Sequence, residues 1–270
     1  MQQWRIEEPR SFDLEGVRRL EVRMVAGRVD VVGRTEDAED GAAHVEVNRL
    51  EGPLVVTLDD EGTLQIVHEK LTWGGIFDWL SGRRHQAVVA VSVPAPCPVR
   101  LGVVTADAVV SEMAGERTEV KSVSGDVTLD HVRSSVTAKT VSGDLEMHRV
   151  VGPLEFDTVS GTLAAAAGRT SRLHAKSISG DITLDLDVDG GSRLDVATVS
   201  GDVTLRVGAE TALEVDASTT SGRLESAFES LSTERKPGQS RMTGRVGPAD
   251  GLLRVKTVSG DVTLLARVPS

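Results

Sequence analysis

The sequence predicts an all-β fold, a single-chain β-solenoid of about 18–21 residues per coil with one short helical insertion near its N-terminal part. Three observations predict it. One eight-residue string recurs seven times around a glycine, as in SVSGDVTL (Ser122–Leu129), SISGDITL (Ser177–Leu184) and TVSGDVTL (Thr257–Leu264). The central glycines Gly125, Gly143, Gly161, Gly180, Gly201, Gly222 and Gly260 are spaced by 18, 18, 19, 21, 21 and 38 residues. Around each glycine the apolar residues alternate with period two, the mark of a half-buried strand. A fixed period near twenty residues describes coils that bury their apolar sides only by stacking on one another.

From the N-terminus, residues 1–93 read as a β-rich capping region that holds the first coils. Leu20–Val32 is a degenerate repeat with Gly27 in the glycine place. His44–Leu58 and Gly62–Glu69 alternate, and the Asp59–Asp60–Glu61–Gly62 stretch between them is a hairpin signal. Within Leu71–Gln86, the residues Ile76, Phe77 and Leu80 share one face of a short helix, with Trp73 and Trp79 beside them. Gly82 then stops the helix. This insertion covers the solenoid or offers Trp73, Ile76, Phe77, Trp79 and Leu80 as a docking site for a partner, where aromatics are favoured.

Residues 94–270 form the glycine-repeat solenoid, continuous with the cap. In Leu194–Val207, Leu194 and Val196 are even-numbered, whereas Val199, Gly201, Val203, Leu205 and Val207 are odd. The parity change predicts a corner at Ala197–Thr198 between two strands, with Val199 and Gly201 both pointing inward. The same rule puts Val159, Ile178 and Val258 inward in their copies. An inward glycine lets a neighbouring backbone come close. Variable connections such as Asp187–Arg193 absorb the differences in period. Ala227–Gly251 reads as a polar connection around one degenerate coil centred on Gly244.

Outward positions form columns of Ser (Ser124, Ser142, Ser160, Ser179, Ser200, Ser221, Ser259) and of Asp, interrupted at Thr162 and Arg223. Such side chains bond nearby backbone. The alternative is a carboxylate ladder for Ca²⁺, weakened by the two interruptions and by the single carboxylate per coil; no metal or other cofactor is expected. With no Tyr, four Phe and three Trp, the core must be built from aliphatic residues. The formal charge of −11 argues against nucleic acid, which needs a clustered basic surface. Cys97, the single cysteine, lies between Pro96 and Pro98 and reads as a small packed residue. The opening MQQWRIEEPR has no apolar signal core. Nor does any stretch approach the ~18 apolar residues of a membrane span. The expectation is a cytoplasmic chain, or one peripheral to the membrane without stable insertion.

Catalytic patterns are missing from the sequence. There is no GxxxxGK[ST], HExxH, paired CxxC or GxSxG. The six histidines occupy different offsets from the repeat glycines. The Asp column allows, on paper, the acid pair of a carbohydrate-cleaving solenoid, yet nothing singles out one pair. The reading is therefore not an enzyme.

The repeated T/S-V-S-G-D-V/I-T-L string, together with Val25–Gly27–Val29 and the Val93–Pro94 entry to the array, resembles a bacterial putative-adhesin family, a β-strand-repeat domain of unknown function. The resemblance covers residues 14–268. It implies a right-handed β-solenoid and a binding or scaffolding role, with some members associated with the cell envelope and its stress signalling. It carries no functional residues over, because the family motif is structural. The expected function is a non-catalytic module presenting a rigid solenoid surface to a protein partner. Adhesin-like binding to surface carbohydrate or envelope components, hydrolysis of carbohydrate, and self-association through the solenoid ends are the alternatives.

Overall fold

The structure, a computed structural model, describes residues 1–35, 41–68, 85–209, 211–248 and 250–267. Every regular element among them is a strand. The helix expected within 71–86 falls, apart from its last two residues, on positions outside the described residues, as do Trp73, Ile76, Phe77, Trp79 and Leu80. The chain divides into two compact units, Met1–Ser134 and Ser135–Ser270.

The N-terminal unit contains β1 (Gln2–Ile6), β2 (Arg10–Leu14), β3 (Arg19–Arg34), β4 (Ala43–Glu51), β5 (Leu54–Leu58), β6 (Thr63–His68), β7 (Gln86–Pro94), β8 (Val99–Ser111), β9 (Arg117–Ser122) and β10 (Val127–Asp130). The long strands β3 and β8 pair in parallel and each serves two sheets. Their first halves join β6 and β9 in one sheet, and their second halves join β7 and β10 in the other. Leu20–Val32 is thus a coil, as its pattern predicts, but it lies between the β6–β7 coil and β8 rather than at the edge of the stack. Beyond β6 and β7 the pairing turns antiparallel, through β5 and β1 on one side and β4 and β2 on the other. The β5–β6 hairpin forms where Asp59 and Gly62 predict it. The Asp59 carboxylate accepts from the amides of Glu61 (3.0 Å) and Thr63 (2.8 Å), and Gly62 takes φ +82°.

The C-terminal unit contains β11 (Ser135–Lys139), β12 (Leu145–His148), β13 (Leu154–Asp157), β14 (Leu163–Lys176), β15 (Ile182–Ala197), β16 (Val203–Gly208), β17 (Leu213–Thr219), β18 (Leu224–Ser226), β19 (Leu231–Lys236), β20 (Gln239–Val246), β21 (Gly251–Lys256) and β22 (Val262–Arg267). Equivalent positions of successive repeats lie side by side: Leu163 pairs with Ile182, Ile182 with Val203, and Val203 with Val262, all in parallel. The second sheet repeats this with Leu154, Leu173, Leu194, Leu253 and Val215. The inward residues of both sheets are mainly aliphatic and almost fully buried, joined by the aromatic Phe156. Each Leu or Val so buried contributes about 1.5–3 kcal/mol.

Two expectations are corrected here. The coils do not stack in chain order, which would set the Gly260 coil beyond that of Gly222. β21 and β22 lie between β15–β16 and β17–β18, so the spatial order is Gly201, Gly260, Gly222. The segment around Gly244 is not a degenerate coil. It is the antiparallel hairpin β19–β20, turning at Gly238 (φ +78°) and covering the outer edge of β17. The polar Ala227–Gly251 sequence suits a cap facing water on one side.

The corner between sheets also differs from its prediction. Thr198 is buried (5% exposed) and Val199 is exposed (47%), so the parity changes at Val199–Ser200 and not at Ala197–Thr198. Val123, Val141, Val159, Ile178 and Val258 point outward in the same way. The physical reason is a hydrogen bond. A backbone that turns from one sheet to the other has amides without ladder partners, and the inward hydroxyl supplies one.

Candidate functional site

The corner is built from its smallest residue upward. A Cβ on Gly161, Gly180, Gly201, Gly260 or Gly222 would sit 1.9–2.1 Å from the carbonyl oxygen of the glycine one coil away. Gly125 meets Ala106 of its own unit in the same manner, at 1.8 Å. The column therefore requires glycine for space: none of these residues has a left-handed φ. Three residues before each repeat glycine of the C-terminal unit, a hydroxyl oxygen accepts the glycine amide: Thr140 at 3.0 Å, Thr158 at 3.1 Å, Ser177 at 2.8 Å, Thr198 at 3.0 Å, Thr257 at 2.9 Å and Thr219 at 2.9 Å.

This inward hydroxyl forces the residue after it outward. In the C-terminal unit the result is a ridge of Val141, Val159, Ile178, Val199 and Val258, exposed by 46, 40, 52, 47 and 49%. The ridge is continuous because each following serine amide bonds the ridge carbonyl of the neighbouring coil. Ser160 donates to Val141 at 2.9 Å, Ser179 to Val159 at 2.8 Å, Ser200 to Ile178 at 3.0 Å and Ser259 to Val199 at 2.9 Å. Coils stacked about 4.8 Å apart place the five side chains along about 19 Å. The serine hydroxyls donate to the same carbonyls, at 3.2–3.4 Å.

The Asp column lies beyond the serines and also serves the backbone. One carboxylate oxygen of Asp144, Asp181, Asp202 and Asp261 accepts the amide of Thr162, Asp202, Asp261 and Arg223 respectively, at 2.8–2.9 Å. Arg223, an interruption in the pattern, closes the column by gripping Asp261 through Nε (3.0 Å) and Nη2 (2.8 Å). The amide and the guanidinium hold the Asp261 carboxyl below its ordinary range. Among the described residues no three His, Cys, Asp or Glu side chains converge into a metal-holding group.

On the other flank of the ridge, Lys139, Asp157, Lys176, Ala197 and Lys256 stand in register. Lys139 reaches Asp157 at 2.6 Å and Glu155 at 3.3 Å, which raises its pKa. Lys176 and Lys256 are exposed. The arrangement is an aliphatic line between a lysine-bearing flank and a carboxylate flank, able to fill a groove. Gly143, Gly161, Gly180, Gly201, Gly222 and Gly260 fall in this corner, and Gly125 meets Ala106 in the N-terminal unit. The aliphatic ridge is what parity reasoning missed. The available signal was that all seven copies keep a hydroxyl residue at the position before it. Cys97 is buried (4% exposed), and burial pushes its thiol up to about 12, which fits the packed role. No helix of the described residues is long and apolar enough to cross a membrane.

No curated protein is similar to this chain. Among solved structures, one named "Putative lipid binding protein" from Parabacteroides distasonis is 13% identical with a TM-score of 0.57, covering 95% of this chain and 96% of that one. A second, named "putative adhesin" from the same organism, is 13% identical with a TM-score of 0.50, covering 96% and 97%. At that identity the likeness shows the fold alone. The model of the Toastrack DUF4097 family matches residues 107–265, the stretch that holds all seven glycine corners. By that match, and by the coil geometry it covers, this chain belongs to the Toastrack DUF4097 family.

Proposed function

We propose that this chain is a non-catalytic binding module whose working surface is the aliphatic ridge of the C-terminal unit, received by a groove on a protein partner. The single observation carrying this reading is the exposure of five aliphatic side chains by 40–52% on a backbone fixed coil by coil. Scattered apolar residues on a surface are ordinary, whereas an ordered apolar line rimmed by polar groups marks an interaction site. The ridge needs no ordering on binding, so little conformational entropy is lost there. The family resemblance supports a place for the partner in cell-envelope stress signalling.

A photo-crosslinking residue at position 199 tests the reading in lysate of the source cell. The expected result is a discrete adduct that disappears when Val159→Asp and Ile178→Asp are added. Adducts unchanged by those substitutions would reject the ridge as the contact. A second reading, contact with a lipid surface, is favoured by Lys176 and Lys256 beside the ridge, since cationic flanks attract anionic headgroups. Its support also includes the lipid-binding name of one structure of similar fold. Co-sedimentation with anionic vesicles, lost in Lys176→Glu/Lys256→Glu, would favour lipid over protein.

A further inference from the structure

β3 runs unbroken through Met24 and Val25, but the strand beside it does not. β6 pairs with it as far as Val67, opposite Arg23, and β7 begins at Gln86, opposite Ala26. The Val25 amide therefore faces a gap in the ladder. His68, the last residue of β6, fills it: the Val25 N–H donates to its Nδ1 at 3.2 Å. A ring nitrogen that accepts carries no proton, so neutral His68 holds its proton on Nε2. That Nε2–H is buried without a hydrogen-bond partner among the described residues, and so are both ring nitrogens of His85. The two rings lie 6.0 Å apart between centroids, with His85 pressed on the Gly52 backbone, where a Cβ would come within 2.4 Å of its Nδ1.

Among the described residues, the surrounding elements bring few charges. β3 brings Arg23, directed to Glu21 (3.7 Å), and β4 brings Arg49 and Glu51, paired with each other (3.6 Å). β5 and β7 hold no ionisable side chain. A metal ion does not suit the pair, because the Nδ1 lone pair of His68 is taken by Val25 and its Nε2 carries the proton.

We propose that His68 is an acid-sensitive latch between β6 and β3. A proton taken from solvent at Nδ1 turns the acceptor into a donor facing another donor, so the Val25 bond must break and the end of β6 must part from β3. Burial, with the nearby His85 charge adding to it, pushes the His68 pKa from 6.5 down to about 4. A base whose pKa falls on folding is bound neutral. Its contribution is complete above the unfolded value near 6.5 and is lost as pH drops towards 4. Alkaline pH leaves the latch closed.

Nitrogen-15 and amide-proton NMR of the full chain tests this. The expected spectrum shows His68 as the Nε2–H tautomer at pH 7, titrating near 4, with the Val25 amide resonance moving at the same midpoint. In His68→Gln, whose side-chain carbonyl accepts without titrating, the Val25 amide should stay fixed over the same range. A Nδ1–H tautomer, a midpoint near 6.5, or a Val25 amide indifferent to the wild-type titration would overturn the latch. The wild-type titration alone decides the matter if the variant does not fold.

Discussion

Replacing Gly201 by alanine adds one carbon where the structure has no room for it. The new Cβ would lie 2.1 Å from the Gly180 carbonyl oxygen and 2.6 Å from its carbon, against an ordinary contact of 3.4 Å or more. Relief requires the two coils to part locally by about 1 Å. The bonds on either side cannot follow, since Ser200 holds Ile178 at 3.0 Å and the Asp202 amide holds Asp181 at 2.9 Å. Losing both costs about 1 kcal/mol each, and a strained or broken Thr198–Gly201 bond adds about 1 more. With residual overpacking of about 1–2 kcal/mol, the expected loss is about 4–5 kcal/mol. That is a large share of the 5–15 kcal/mol that ordinarily separates folded from unfolded protein. Urea unfolding followed by far-ultraviolet circular dichroism measures it, with Gly102→Ala as the matched control. At Gly102 the nearest atom to a new Cβ is 3.8 Å away, so the control should stay within about 1 kcal/mol of wild type. A loss below about 1 kcal/mol for Gly201→Ala would refute the claim that the column needs glycine for space.

Two further outcomes follow from the same corners and core. Thr198→Val keeps the shape but leaves the Gly201 amide buried without its acceptor, and should cost about 1–3 kcal/mol in the same unfolding assay. Thr198→Ser should lose less than half of that, because Ser177 fills the equivalent place. Cys97 should resist iodoacetamide at pH 8 in the folded protein and react once urea unfolds it, since burial holds the thiol protonated.

The repeat was legible because a clash between backbones leaves a residue-level trace: a glycine wherever two coils approach closely. Gly201 and Gly180 record that approach directly. The hairpin at Asp59–Gly62 was legible for a similar reason, its turn being set by local carboxylate-to-amide bonds. The direction of Val199 was not, because a hydrophobicity pattern assigns valine inward and threonine outward by default. Here a hydrogen bond to the Gly201 amide outweighs that preference and reverses both. The place of β21–β22 was not legible either. Every coil carries the same string, so any order of stacking satisfies the period equally, and the choice falls to the β19–β20 hairpin that covers β17.

That placement separates the order of synthesis from the order of assembly. β17 and β18 leave the ribosome before β21 and β22, yet their parallel neighbours in the finished unit are those later strands. The growing chain cannot simply add each turn to the one before it. It must keep a berth open, or dock the earlier turn wrongly and release it, until Gly251–Arg267 arrives.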